Sequence, residues 1–196
     1  MVLQVRDGRL RVLLDGNCLP GGELRAGETL ESCVRRHLGR REPAHVEQLE
    51  TRSDPKRNPQ TWELASAYLG LVPADETLPG DWSPVTRLPR LVHDHGAIVF
   101  AGRARLRAKL SYTNVGFALA PAEFTISELR EIYVAALGHD VSATNLQRVL
   151  VRRGVLEPTG GQRESGRTGG RPAALFRFSS REIAITDQFA VLRPPA

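Results

Sequence analysis

The sequence predicts an α/β protein followed by a second, smaller winged helix-turn-helix unit, and three observations lead there. Apolar runs of strand length recur through the first ninety residues, with helical patterns between and after them. Gly22, Glu28 and Arg36 stand at fixed offsets around the start of the first helix. Beyond residue 121 the chain changes character. Two capped helices and then two short apolar segments around a Gly- and Arg-rich stretch follow in the order that a winged helix requires.

Length alone allows one large domain or two small ones in 196 residues, and the features below favour two. With 41% hydrophobic residues there is material for packed cores, and disorder over the whole chain is excluded. Net charge is +5, and Lys occurs only at positions 56 and 109, so the excess is almost all Arg. It is also local: residues 141–181 hold eight Arg against two Glu, the footprint expected for a polyanion partner. Cys18 and Cys33 are the only cysteines and form no CxxC, which excludes a zinc site or a disulfide framework. No apolar run suits a signal peptide or a membrane span, so a reduced, cytoplasmic protein without a membrane partner is expected.

In chain order, Val2–Val5 and Leu10–Leu14 read as two strands around an Asp7-Gly8 turn. Thr29 is an N-cap, Pro43 ends the helix it opens, and Leu30, Cys33, Val34, His37 and Leu38 form that helix's buried stripe. Cys33 is then a core thiol. Val46–Thr51 is a strand, and residues 53–59, with two prolines and Arg57, are a loop. Residues 62–72 form a central strand, and residues around Trp82 a late strand and turn. A helix runs from Asp94 to about Leu110, with Ile98, Ala101, Leu106 and Leu110 inward and Arg103, Arg105, Arg107 and Lys109 outward. His93 and His95 flank Asp94, but no acid cluster accompanies them, so no metal set is read there.

Ser111–Pro121 separates the halves, giving domains of 1–110 and 111–196. Thr125 and Glu128 make a capping box, Gly138 stops the helix, and Ser142 caps a second one closed by Gly154. Leu146, Val149 and Leu150 point inward. Thr144, Asn145, Arg148 and Arg152 face outward, and such side chains near the front of a second helix read base edges: Arg takes guanine, Asn takes adenine. Val155–Glu157 and Ala174–Phe178 are the wing strands. Arg163, Arg167 and Arg171 lie between them, suited to phosphate or minor groove.

Residues 19–44, LPGGELRAGETLESCVRRHLGRREPA, resemble the Nudix box: a glycine, five residues, a glutamate, seven residues, then Arg-Glu-apolar-any-Glu-Glu-any-Gly-apolar. In that register the three carboxylates of the family's metal site fall on His37, Arg40 and Arg41, and its closing glycine on Pro43. Mg²⁺ needs carboxylate oxygens, so this face should repel it and attract phosphate; no metal and no catalytic residue are expected, while Arg36, Arg40 and Arg57 are candidates for ligand phosphates. One rival is a hydrolase of nucleoside diphosphate compounds using Glu23, Glu28, Glu31 and Glu42.

With the second half, from Phe117-Ala-Leu-Ala-Pro121 and Phe124-Thr-Ile-Ser-Glu-Leu129 to Gly169-Gly-Arg-Pro-Ala173, the whole chain resembles the Nudix-related transcriptional regulators of the NrtR family. The resemblance implies a Nudix-like α/β/α sandwich with a mixed sheet, joined to a winged helix. It also implies a homodimeric repressor of NAD biosynthesis or salvage genes on palindromic double-stranded operators. The sensor half would bind ADP-ribose or a related NAD metabolite, with no other cofactor. The family also contains regulators of sugar use, which leaves a different phosphate or sugar ligand open. Absence of the box acids agrees with a sensor that binds an ester without consuming it.

Overall fold

The computed structural model describes residues 1–39, 42–164 and 172–188. Strands β1 (Val2–Arg6) and β2 (Arg9–Leu14) form the expected hairpin, and Asp7 and Gly8, both at positive φ, turn the chain between them. With β3 (His45–Arg52), β4 (Ala65–Val72) and β5 (Asp81–Pro84) they make a five-stranded sheet of order β3-β4-β1-β2-β5. The sheet is mixed. β1 pairs parallel with β4, and every other pairing is antiparallel.

Strand periodicity assigns the two faces. Leu3, Val5, Leu10, Val12 and Leu14 face the larger core, under α2 (His95–Tyr112) and α3 (Ile126–Leu137). Val2, Leu13 and Val72 face the other way, against Leu38 and Val34 of α1 (Leu30–Leu38). Helices on both faces make the α/β/α sandwich. Ile98, Val99, Leu106 and Leu110 are the buried stripe of α2, and Gly102 leaves room for the Met1 side chain, whose Sδ would lie 2.6 Å from an added Cβ.

The segment between the halves is core rather than a spacer. After α2 the chain makes a 3-10 turn, Val115–Ala118, and every residue from Val115 to Ala120 is buried. Phe117 lies edge-on to His45 of β3, with ring centroids 6.5 Å apart, and Ala74 donates to the Leu119 carbonyl at 2.8 Å. Side chains of β1, α2, α3 and α4 (Ala143–Arg152) thus belong to one continuous apolar cluster.

In the second half, Thr125 and Glu128 form the capping box, and Gly138 closes α3 at φ 76°. Ser142 caps α4, whose Leu146 and Leu150 are buried. Wing strands β6 (Leu156–Arg163) and β7 (Ala173–Phe178) pair antiparallel, and Phe124 bridges to Phe176 as a third short edge. Among the described residues no helix is long and apolar enough to cross a membrane.

Three boundaries and the burial of one residue differ from the sequence reading. Helix α1 ends at Gly39, at φ 60° and with its N–H on the Arg35 carbonyl, rather than at Pro43: the glycine takes a conformation that L side chains resist. Leu30, expected inside, is 37% exposed at the first turn. β4 begins at Ala65, so Trp62 and Leu64, 67% and 59% exposed, precede the strand. β6 continues to Arg163 through a bulge after Pro158, where register resumes at Gln162 opposite Ala174; the pair of glycines inside it accommodates the irregularity.

Candidate ligand cleft and nucleic-acid interface

A cleft of about 830 Å³ opens between the loop before α1, the α1 face, β4 and the start of α2. Gly22 sits on its floor because His37 leaves no room for a side chain: an added Cβ would stand 2.5 Å from His37 Cε1. His37 in turn accepts at Nε2 from Arg36 Nη1 at 2.9 Å, which assigns its proton to Nδ1.

Arg36 is a strut. Its Nε and Nη2 donate to the two oxygens of Glu28, both at 2.7 Å, and Nη2 also reaches the Glu23 carbonyl at 2.9 Å. Bidentate pairing of this kind fixes geometry as well as charge. Arg36, expected among the contacts to ligand phosphates, is engaged by Glu28, and the Nudix spacing of the two residues holds the loop onto the helix. Hydrogen bonding from Arg36, then from the Arg25 N–H, holds the Glu28 carboxyl down to about 2. The folded pKa is depressed, so this tie is complete above the unfolded value near ~4.3 and is lost as pH falls through about 2. Acid titration followed by NMR should show residues 22–28 loosening only below pH ~3, and Glu28→Gln should loosen them already at pH 7.

Arg57 does line the cleft, but it is already engaged. Its side chain is 5% exposed, with Nη2 on Asp94 at 3.0 Å and Nη1 on Glu63 at 2.6 Å. Burial alone would raise the Asp94 carboxyl; the bonds from Arg57 override it and hold it below the usual range. A ligand phosphate at Arg57 must therefore share that guanidinium with two carboxylates. Arg40, like Arg41, lies outside the described residues.

His95 accepts at Nδ1 from the Leu19 N–H at 3.0 Å, and burial lowers its pKa, so at neutral pH it acts as an uncharged acceptor. Among the described residues no group of three His, Cys, Asp or Glu side chains is placed to hold a metal. Glu23 lines the cleft, while Glu28, the other acid of its loop, is spent on Arg36. What the sequence reading missed is the apolar rim: Leu24, Val46 and Leu64 line the cleft with more than 40% of their surface exposed. No periodicity marks them, because they sit on loops and an edge strand.

In the helix-turn-helix, Arg130 donates to the Val141 carbonyl at 2.8 Å and pairs with Asp140, which fixes the turn between the helices. Thr144, Asn145, Arg148 and Arg152 of α4 are all exposed, as read from sequence, and Arg148 Nη2 donates to Asn145 Oδ1 at 2.7 Å. The two side chains are thereby tied to each other on the exposed face of α4. Arg163 is exposed at the end of β6, where it pairs with Glu128 of α3, so the wing is anchored to the capping box; a phosphate would compete with that carboxylate. Arg167 and Arg171 lie outside the described residues.

Residues 116–178 match the NrtR DNA-binding winged helix domain. Over 91% of this chain and 90% of the other, the fold superimposes with a TM-score of 0.75 and 27% identity on Shewanella oneidensis NrtR complexed with a 27mer DNA. In architecture the chain is thus similar to NrtR over nearly its whole length. A curated relative, the ADPR responsive transcriptional repressor NtrR of Acinetobacter baylyi, is 27% identical over 92% of this chain and 80% of its own length. A MutT/nudix family protein from Enterococcus faecalis shares the fold, with a TM-score of 0.68 at 18% identity over 91% of this chain and 85% of its own. The matched winged helix contains α4, and the cleft lies in the half that precedes it.

Proposed function

We propose that this chain is a DNA-binding transcriptional repressor of NAD biosynthesis or salvage genes. Residues 1–110 form a non-catalytic sensor of ADP-ribose or a related NAD metabolite, and residues 111–196 the DNA-binding part. The observation that carries the reading is a cleft of about 830 Å³ with an apolar rim and, among the described residues, no acid cluster, packed through one core against a winged helix whose Asn145 and Arg148 side chains are exposed. The Acinetobacter relative, named for its response to ADP-ribose, supports the choice of ligand. Two copies acting in the cytoplasm would place two α4 helices about one DNA turn apart on a palindromic operator, and ADP-ribose would act by favouring one spacing of the two.

Fluorescence anisotropy on labelled fragments from upstream of the gene and its neighbours, with random competitor DNA, tests this directly. One fragment should bind tightly and lose or gain affinity when ADP-ribose is added. Arg148→Ala should cost ~1–3 kcal/mol on that fragment, roughly 5- to 150-fold, and leave random DNA unchanged. Equal binding to all fragments only at low salt would reduce the winged helix to a general polyanion surface.

A further inference from the structure

A second cavity, of about 330 Å³, lies in the seam between the sensor sheet and the helix-turn-helix. Arg9 of β2 and Arg103 of α2 line it on the sensor side, and Gly138, His139 and Asp140, at the end of α3, on the other. Arg107, one turn beyond Arg103, brings its Nη2 against the same Gly138, and an added Cβ there would also stand 2.8 Å from Arg103 Nη2.

The two guanidiniums lack a counter-charge. Arg103 Nε and Arg107 Nε are both buried without a hydrogen-bond acceptor, and among the described residues neither side chain makes an ion pair. Their neighbours on the same helix behave differently: Arg105 and Lys109 both pair with Glu47. Asp140, the one carboxylate of the cavity wall, is taken by Arg130. Burial, with the Arg103 charge next to it, pulls Arg107 below the usual guanidinium range. Like charges held together with their Nε atoms shielded from water cost stability unless an anion joins them, although the rest of the seam is open to solvent, and the partial negative charge at the α3 C-terminus compensates them only in part.

We propose that this seam is an anion site separate from the cleft, taking a small phosphate-bearing molecule between Arg9, Arg103 and Arg107, and that its occupant fastens the helix-turn-helix to the sensor. Planar guanidinium forks match phosphate oxygens, and three of them suit a dianion. Glu128, beside the wing, and Gly138, beside the seam, are ten residues apart on or at the end of α3, ~15 Å along the axis. That separation favours a free anion over a phosphate of the DNA under the wing.

The test is the melting temperature of the full chain at constant ionic strength as chloride is exchanged for inorganic phosphate. A saturable rise of roughly 5–10 °C is expected at a hundredfold excess over Kd. Arg103→Gln and Arg107→Gln should each remove the saturable rise, and in phosphate-free buffer they should melt at or above the wild type, because a like-charge contact is relieved. The proposal is overturned if wild-type melting is insensitive to phosphate beyond a linear salt effect. Two other outcomes also overturn it: either variant melting lower with and without phosphate alike, which makes these arginines plain struts for α3, or both variants changing only the salt dependence of DNA binding, which makes the anion a backbone phosphate.

Discussion

Arg57→Ala is expected to lower stability at pH 7 by about 3 kcal/mol, far more than a typical surface arginine. Two carboxylates lean on Arg57, and they weigh unequally. Glu63 is 41% exposed and water replaces its partner, so its share is small. Asp94 is 17% exposed at the head of α2, and without Arg57 it keeps a backbone N–H and Arg52 at 3.8 Å. A charge left there without its bidentate partner carries most of the loss. The pH dependence follows from the same charge. Asp94 titrates below its ordinary range in the wild type, so the stabilisation is present above the unfolded value near ~3.9 and lost on acidification. In the variant, burial is opposed only by the weaker pull of Arg52 and a backbone N–H, so the Asp94 pKa rises above its wild-type position and the penalty shrinks as pH falls. Urea denaturation at pH 7 and pH 4 reads both effects. Adding Asp94→Asn to Arg57→Ala should restore more than half of the loss, since no buried charge then remains. A loss below ~0.5 kcal/mol at pH 7 would mean that the guanidinium is free for ligand rather than a pillar of the cleft.

Legibility in the sequence followed the range of the interaction. The Asp7-Gly8 turn, the Thr125–Glu128 capping box, the Gly138 stop and the Ser142 cap are local, and each is where residue types placed it. The Nudix spacing was legible as a frame, but its meaning was not. Glu28 and Arg36 are eight residues apart, and only the folded loop shows that they bond to each other. The same limit hid the partner of Arg57, since Asp94 is 37 residues away. The burial within Ser111–Pro121 is illegible for a different reason. Its Gly and Pro look like punctuation, whereas Val115–Ala120 lies under α3 and is wholly buried, which no period of 2 or 3.6 would announce in six residues.

Phe117→Ala should be the most damaging single change to the link between the halves. Phe117 is 1% exposed in the turn after α2, within the apolar cluster that takes in β1, α3 and α4, and its ring abuts His45 on the outer strand of the sensor sheet. Removing it should cost ~3–5 kcal/mol, about 6–20 °C at ~2–4 °C per kcal/mol. Because side chains of both halves share that cluster, the wild type should unfold in one calorimetric transition, and Phe117→Ala should either shift that transition whole or split it. A variant melting like the wild type would show that the shared cluster does not bind the halves together. Phe117→Leu keeps most of the volume and should stay folded, which allows the functional arm. In the proposed function, coupling between ADP-ribose and operator is a free energy carried by contacts that differ between two arrangements of the halves. The leucine variant should bind each partner alone about as well as wild type, while the ratio of operator affinities with and without ADP-ribose moves toward one. An unchanged ratio would place the coupling in other contacts across the seam, of which Ala74 N–H to the Leu119 carbonyl is the nearest in sequence to Phe117.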